Sequence, residues 1–359
     1  MTHPSAQSRI FSGLPSRRDV LRTGLSGALG LSLPALLQAE AGQGGRPKSC
    51  IFIHQFGGLS QLDSWDPKPQ AAQEVRGPYQ PIATATPGIL ISEIMPELAQ
   101  VSNDYAIIRS MTHRVPVHDV ANRMQLAGQS LPDKDSPAFG SIVTKLRPVS
   151  AAVPPYVWLQ KFGGGAMPPE SSYLTGGFLG MEHAPVLIGA THDDNPAAAG
   201  FRVRAFDPVE GVTSSRLQAR QSLLQGMDLT LAEPSRREDY AGFGSYQSKA
   251  FDLLQGPAAR QAFDIEQESP ELRDRYGRNP LGQNLLMARR LIESGVRLVS
   301  VVAWTGLDPG EKFVSVETWD MHGNAGISIF GNGWNGLGGA MPKCDRAVAT
   351  LLRDLKDRG

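Results

Sequence analysis

A helix followed at once by a buried strand is predicted by LGQNLLMARRLIESGVRLVSVVAW, residues 281–304. Apolar residues recur at helical spacing over 281–294, and Gly295 then supplies the residue type that commonly ends a helix. Residues 296–304 are mostly apolar and β-branched, which is typical of a strand covered on both faces. A helix that leads directly into such a strand is the repeating unit of parallel α/β folds.

Further strands and helices alternate upstream of this segment. The apolar runs 49–56 (SCIFIHQF), 105–109 (YAIIR) and 155–159 (PYVWL) predict buried strands. Helical patterns lie at 96–101, 122–128, 138–146, 213–228, 240–255 and 342–358. Strands separated by helices predict a three-layer α/β fold with a mostly parallel sheet and helices on both faces. Residues 160–200, rich in Gly, Pro, Ser and Asn, predict an irregular covering insertion.

The segment 1–41 predicts export by the twin-arginine route. SRRDVLR at 16–22 resembles the twin-arginine consensus, an apolar stretch follows over 23–37, and AEA at 39–41 resembles a cleavage site. The alternative is a membrane helix, but the stretch is interrupted by Pro34 and falls short of the roughly 20 residues that a span needs. We therefore expect the working part in the periplasm or outside the cell, with no integral membrane span.

After a Gly-rich linker at 42–48, residues 49–359 are expected to form one α/β domain. The chain has 35 basic and 35 acidic residues, and no basic run follows residue 50. This balance argues against nucleic acid or an anionic membrane surface as the main partner. Cys50 and Cys344 fall in a predicted strand and a predicted helix, so we do not expect a disulfide.

The last predicted helix, 342–358, has no strand after it. In α/β proteins a covering helix normally leads into another strand. We therefore expect that the domain is incomplete at its carboxyl end. The alternative is that this helix closes the fold.

Polar side chains follow three of the predicted strands. Because the carboxyl ends of parallel strands meet at one edge of a sheet, we expect these groups to converge there. They are His54, Gln55, Ser60, Asp63 and Asp66 after the first strand, His113, Arg114, His118 and Asp119 after the second, and Asp320 and His322 after 296–304.

Asp320 and His322 stand two residues apart in WDMHGN, residues 319–324. This spacing suits two ligands of one zinc or manganese ion, although a solvated or loop-stapling pair is the alternative. His113 and His118 are each open to three roles, as a metal ligand, a general base or a hydrogen-bond partner within a loop.

Two further patterns are assigned no function. GNGWNG at 331–336 matches the dinucleotide fingerprint G-x-G-x-x-G, but it neither follows a strand directly nor opens the helix of a βαβ unit, so we predict a flexible loop. Arg289 and Arg290 are predicted to lie on a solvated or salt-bridged helix face.

Five ordered motifs resemble the bacterial domain of unknown function 1501 family, which is abundant in planctomycetes. They are GGLSQLDSWDPKP at 57–69, IIRSMTH at 107–113, RDRYG at 273–277, ARRLIESGV at 288–296 and WDMHG at 319–323. That family is similar to the alkaline phosphatase and sulfatase superfamily, whose members hydrolyse phosphate or sulfate esters at a metal site on the carboxyl edge of an α/β sheet. Fold alone does not fix activity.

The chain also departs from the superfamily pattern. A metal-binding Asp commonly follows the first strand there, whereas this chain has no carboxylate between His54 and Asp63. The sulfatase Cys motif is missing, with His118 at the nucleophile position and Asn122 at that of its arginine. The family pattern also continues past residue 358 into further segments that carry Arg and His.

The resemblance implies an exported, metal-dependent hydrolase of phosphate or sulfate esters. The implied catalytic candidates are Ser60, His118 and His113, and the implied ligands of a divalent metal are Asp63, Asp66, Asp320 and His322. The residues do not distinguish zinc, manganese, calcium and magnesium. The substrate would be a small anionic ester or a sulfated or phosphorylated polymer. The alternatives are a non-catalytic exported binding or scaffold protein on the same fold, and an inactive fragment.

Overall fold

A parallel sheet lies at the centre of the computed structural model, with four strands in the order β1-β6-β4-β5. All three pairings in this sheet are parallel, and β6 lies between β1 and β4, where Leu298 is the partner of both Cys50 and Tyr156. The strands are β1 (Cys50–His54), β2 (Pro81–Ala83), β3 (Leu90–Ser92), β4 (Tyr156–Leu159), β5 (Val186–Ile188) and β6 (Leu298–Val302). The short strands β2 and β3 pair with each other in antiparallel fashion. The α/β class and the mostly parallel sheet predicted from the sequence are therefore confirmed.

The structure describes residues 49–129, 132–133, 135–149, 153–160, 176–189, 194–203, 215–216, 218–220, 222–223, 226, 257–311, 319–320, 328–333 and 336–359. Ser49–Gly359 forms one compact unit. The predicted targeting segment, the linker and most of the predicted helices 213–228 and 240–255 lie outside the described residues, although those described between 215 and 226 are helical. No helix in the described ranges is long and apolar enough to cross a membrane.

Helices surround the sheet, and their ends carry the expected signals. They are α1 (Gln73–Arg76), α2 (Pro96–Gln100), α3 (His118–Ala127), α4 (Phe139–Leu146), α5 (Pro257–Phe263), α6 (Pro270–Tyr276), α7 (Pro280–Glu293) and α8 (Leu337–Arg358). The side chain of Asn279 accepts a hydrogen bond of 3.0 Å from the backbone of Gly282, which caps the first turn of α7. Gly295, with φ 105°, then turns the chain from α7 towards β6.

Alternate residues of β6 enter two different cores. Val299 and Val301 belong to the larger core, together with residues of α7 and α8. Leu298 and Val302 belong to a smaller, aromatic core that includes Trp158 of β4. Since successive side chains of a strand point to opposite faces, the two cores lie on opposite faces of the sheet.

Three predictions about the elements need correction. Residues 105–109 form no strand in the described structure, because residue 109 already lies in a turn and the side chain of Ile108 is exposed rather than buried. The predicted irregular insertion 160–200 contains strand β5. The helix predicted from residue 342 begins five residues earlier, at Leu337, so that Pro342 lies inside the helix rather than at its start.

Arg289 lies in a buried ionic cluster rather than on a solvated face. Its guanidinium is within 3.0 Å of Glu268, 2.8 Å of Glu293 and 3.1 Å of Asp354. Tyr276 donates a hydrogen bond of 2.8 Å to the same Asp354 carboxylate. The salt-bridged alternative of the prediction is therefore confirmed for Arg289, and the cluster ties α6, α7 and α8 together.

The two cysteines are both free, in agreement with the prediction. Cys344 is buried in α8, where Gln55 contacts its sulfur at 3.7 Å. Burial raises the pKa of its thiol to about 12, and the neighbouring Asp345 adds to the effect. A thiol in this environment is unreactive at neutral pH.

Candidate functional site

His54, the last residue of β1, begins the polar edge of the sheet but is itself buried. Its ring stacks on Phe52 with 5.7 Å between the ring centroids and meets Trp158 edge-on at 6.4 Å. Its Nε2 atom lies 3.0 Å from Asn122 Oδ1, so the imidazole donates this hydrogen bond, because an amide oxygen only accepts. Burial lowers the pKa of His54 to about 4, and the bond to Asn122 opposes that effect. His54 is therefore a neutral, positioned group at physiological pH.

Asp320 is fixed beside the end of β1 by its neighbour Trp319. The backbone N–H of Trp319 donates to the carbonyl of Phe56 at 3.2 Å, and its indole donates to the carbonyl of Ala303 at 2.9 Å. Gly57 makes this approach possible, since a Cβ atom there would lie 2.2 Å from the backbone nitrogen of Asp320. The expected convergence of Asp320 with the residues that follow β1 is thus present in the structure.

His118, the first residue of α3, faces Asp320. The two side chains approach to 3.8 Å between His118 Nε2 and Asp320 Oδ1, and the Asp320 carboxyl group is mostly buried whereas the imidazole is about one-third exposed. Two ligands of one tetrahedral zinc ion, each at roughly 2.0–2.1 Å, lie roughly 3.4 Å apart. The pair can therefore share an ion with little adjustment, or the carboxylate can orient the imidazole for proton transfer.

The side chains of Ser60 and Asp63 are hydrogen-bonded to each other. The Ser60 hydroxyl donates to Asp63 Oδ2 at 2.6 Å, while the Ser64 hydroxyl donates to the backbone carbonyl of Ser60 at 2.5 Å. Asp63 is 7% exposed, and its Oδ1 atom has no hydrogen-bond partner within the described ranges. These contacts fold residues 60–64 into a local turn and give Ser60 a carboxylate neighbour.

Asp66 and His113 also have local contacts. The Asp66 carboxylate lies 2.5 Å from Lys68 and 3.2 Å from Arg109, whose guanidinium also donates to the backbone carbonyls of Trp65 and Leu90. His113 is exposed, and its Nδ1 atom accepts a hydrogen bond of 3.2 Å from the backbone of Val115. His113 therefore stabilises its own loop, whereas Asp66 also joins its loop to the segment of Arg109.

The candidates therefore divide into two groups. His118 and Asp320 meet, whereas Ser60, Asp63 and His113 show contacts within their own segments. Asp66 pairs with Lys68 and with Arg109 of a second segment. His322 lies outside the described residues, as does the side chain of Asp119. Over the part of the chain that is described, no three His, Cys, Asp or Glu side chains form a metal-binding group.

Two structural features of this edge were not predicted from the sequence. The contact between His54 and Asn122 joins β1 to α3, and the Gly57 turn receives the backbone of residues 319–320. The sequence did contain a hint of the His54–Asn122 contact, since a His at the end of an otherwise apolar strand needs a buried hydrogen-bond partner. The glycine pair at 57–58 indicated a sharp turn but carried no information about the segment that packs on it.

Comparison with known proteins identifies the family of the chain. The searches of curated proteins and of solved structures found no match. The model of the family described as a protein of unknown function, DUF1501, matches residues 47–359, well over half of the sequence. The chain therefore belongs to the DUF1501 family.

Proposed function

We propose that the chain is an exported, metal-dependent hydrolase of phosphate or sulfate esters, acting on a small ester or on a sulfated or phosphorylated polymer. The observation that supports it is the approach of His118 and Asp320, from segments about two hundred residues apart. The pair combines a buried carboxylate with an accessible imidazole at the carboxyl edge of a parallel sheet. Such a pair can hold a metal ion or carry out proton transfer, as hydrolysis of an ester requires.

In this proposal, Asp320 and His322 are ligands of one divalent ion. Such an ion, when bound, would polarise the ester oxygen. His118 is the neighbouring catalytic group, and its approach to Asp320 keeps the imidazole beside the reacting ester. The hydrogen bond from His54 holds Asn122 one turn after His118 in α3, so it limits how far the first turn of this helix can move.

The test measures metal content and hydrolysis together. The purified chain is analysed for divalent metals and then assayed with an aryl phosphate and an aryl sulfate. We expect Asp320→Asn to lose both metal and turnover, and His118→Gln to lose turnover while it retains metal. Asp104→Asn is the matched control, because this carboxylate pairs with Lys356 at 2.7 Å and is not part of the site.

Each result decides between the proposal and its alternatives. A folded chain that binds no metal and hydrolyses neither ester contradicts the hydrolase and favours the exported binding or scaffold protein. An insoluble chain favours the inactive fragment. Metal binding that survives Asp320→Asn would place the ligands elsewhere and remove the structural basis of the proposal.

A further inference from the structure

Phe56, the second residue after β1, lies beside both segments that carry the His118–Asp320 pair. Its side chain is 1% exposed and belongs to the smaller core, together with Leu126 of α3 and Trp158 of β4. A ring in a close-packed core is held in one orientation. Phe56 is therefore a fixed point at the carboxyl edge of the sheet.

The peptide backbone of Phe56 anchors Asp320. Its carbonyl accepts the backbone N–H of Trp319, the residue before Asp320, at 3.2 Å. A Cβ atom at Gly57 would lie 2.2 Å from the backbone nitrogen of Asp320, so the two chain segments are in direct contact here. The hydrogen bond uses main-chain atoms, and it therefore survives a change of the side chain at position 56.

The ring of Phe56 packs beside the imidazole of His118. The centroids of the two rings lie 6.4 Å apart and their planes are inclined at 57°. This distance is within the range over which aromatic side chains attract each other. Since Asp320 Oδ1 lies 3.8 Å from His118 Nε2, both the Phe56 ring and the carboxylate are neighbours of the imidazole.

The chain just before His118 gives the start of α3 little support. Val117, which precedes the helix, is apolar and cannot cap it with a side-chain oxygen, and its own side chain is exposed. Residues 108–114 are likewise exposed. The bond from His54 to Asn122 holds the helix only one turn later. The contacts of the His118 side chain therefore have a large share in fixing where the imidazole lies.

We propose that Phe56 is a positioning residue of the candidate site and sets the separation of His118 from Asp320. Its carbonyl holds the segment of Asp320, and its ring holds the imidazole, so one buried residue is the common reference for both side chains. Misplacing a catalytic group by about 1 Å can lower a rate roughly a hundredfold. This catalytic consequence rests on the proposed function, whereas the support of His118 by Phe56 is testable without hydrolysis.

The test compares the unmodified full chain with two variants. Phe56→Leu removes the ring and keeps the backbone anchor of Asp320. Phe139→Leu is the matched control, because Phe139 also packs on the smaller core, where its ring meets Phe52 edge-on at 5.0 Å. Hydrolysis of an aryl phosphate and an aryl sulfate gives kcat and KM. Modification by diethyl pyrocarbonate, followed by peptide mass spectrometry, gives the reactivity of His118 relative to the exposed His113.

We expect kcat of Phe56→Leu to fall about tenfold or more while KM changes by less than about twofold, because alignment is lost and substrate binding is not. His118 should react roughly two to ten times faster relative to His113, which is the factor that corresponds to the loss of one aromatic contact. Phe139→Leu should match the unmodified chain in both measurements. If Phe56→Leu fails to fold, Phe56→Met replaces it, since an unbranched side chain fills irregular gaps in a core.

An unchanged reactivity of His118 in Phe56→Leu overturns the proposal, whether or not the chain hydrolyses either ester. An equal increase in Phe139→Leu also overturns it, since a general loosening of the core would then be the cause. The same holds if His118 becomes more reactive while kcat stays the same. A chain that hydrolyses neither ester contradicts the proposed function alone, and the reactivity of His118 then still decides whether Phe56 supports the imidazole.

Discussion

The buried imidazole of His54 predicts a loss of stability in mild acid. Its pKa in the folded chain is about 4, against an ordinary value of 6.5, because burial disfavours the charged form. Between these two values the unfolded chain binds a proton that the folded chain does not. Stability from this group is therefore fully present above pH 6.5 and is lost as the pH falls towards 4.

The size of this loss follows from the difference between the two pKa values. One pKa unit corresponds to about 1.4 kcal/mol, so at pH 4 the loss from His54 alone is about 3 kcal/mol. For a domain with a typical stability of about 5–15 kcal/mol, this is a large fraction of the total. Other acids and bases also titrate in this range, so the contribution of His54 must be isolated by a variant.

His54→Gln is the suitable variant, because an amide N–H can still donate to Asn122 and does not titrate. Urea unfolding is measured by circular dichroism at pH 7 and pH 4 for the unmodified chain and the variant. We expect the unmodified chain to lose about 3 kcal/mol more than His54→Gln between these pH values. His113→Gln controls for the loss of an exposed histidine. If the unmodified chain and His54→Gln lost the same free energy of unfolding between pH 7 and pH 4, the conclusion that His54 is buried and neutral would be refuted.

Two further predictions concern the packing around the site and the buried ionic cluster. Gly57→Ala should lower the free energy of unfolding by about 1–3 kcal/mol more than Gly58→Ala. Both glycines have positive φ, but only a Cβ atom at Gly57 would meet the backbone of Asp320. Equal unfolding free energies of the two variants in urea would contradict this contact. Arg289→Met should lower the free energy of unfolding by about 3–5 kcal/mol, because the carboxylates of Glu268 and Asp354 stay buried after the loss of this cation. Arg278→Met removes an exposed ion pair and should lower it by less than about 1 kcal/mol. Similar melting temperatures for these two variants would contradict the importance of the buried cluster.

The sheet could be predicted because its strands are short apolar runs next to clear helical patterns. β1, β4 and β6 each lie inside a predicted strand, and α7 begins one residue before its predicted start. Residues 105–109 have a similar composition but fail as a strand. Their side chains make other contacts, since the Tyr105 hydroxyl donates to the backbone carbonyl of Leu98 at 3.0 Å and Ile107 packs on the larger core. Composition alone does not distinguish an irregular segment that packs on the core from a strand that is hydrogen-bonded to neighbouring strands.

The site could be predicted only in part, because the relevant contacts join distant segments. The convergence of loops at the carboxyl edge predicted correctly that Asp320 lies beside the residues that follow β1. It did not distinguish His118, which meets Asp320, from Asp66, which is held by Lys68 and Arg109. Such a distinction depends on which partner each side chain finds after folding, and residue spacing does not contain that information.

The five family motifs acquire a physical meaning when their contacts are compared. Motif 57–69 contacts motif 107–113 through Asp66 and Arg109, and it contacts motif 319–323 through Gly57 and the backbone of residue 320. Motifs 273–277 and 288–296 meet in the ionic cluster, where Tyr276 and Arg289 share one carboxylate. The motifs thus form one group at the carboxyl edge of the sheet and another near the end of α7. A shared requirement for stability explains the second group, so a search for catalytic residues is best confined to the first.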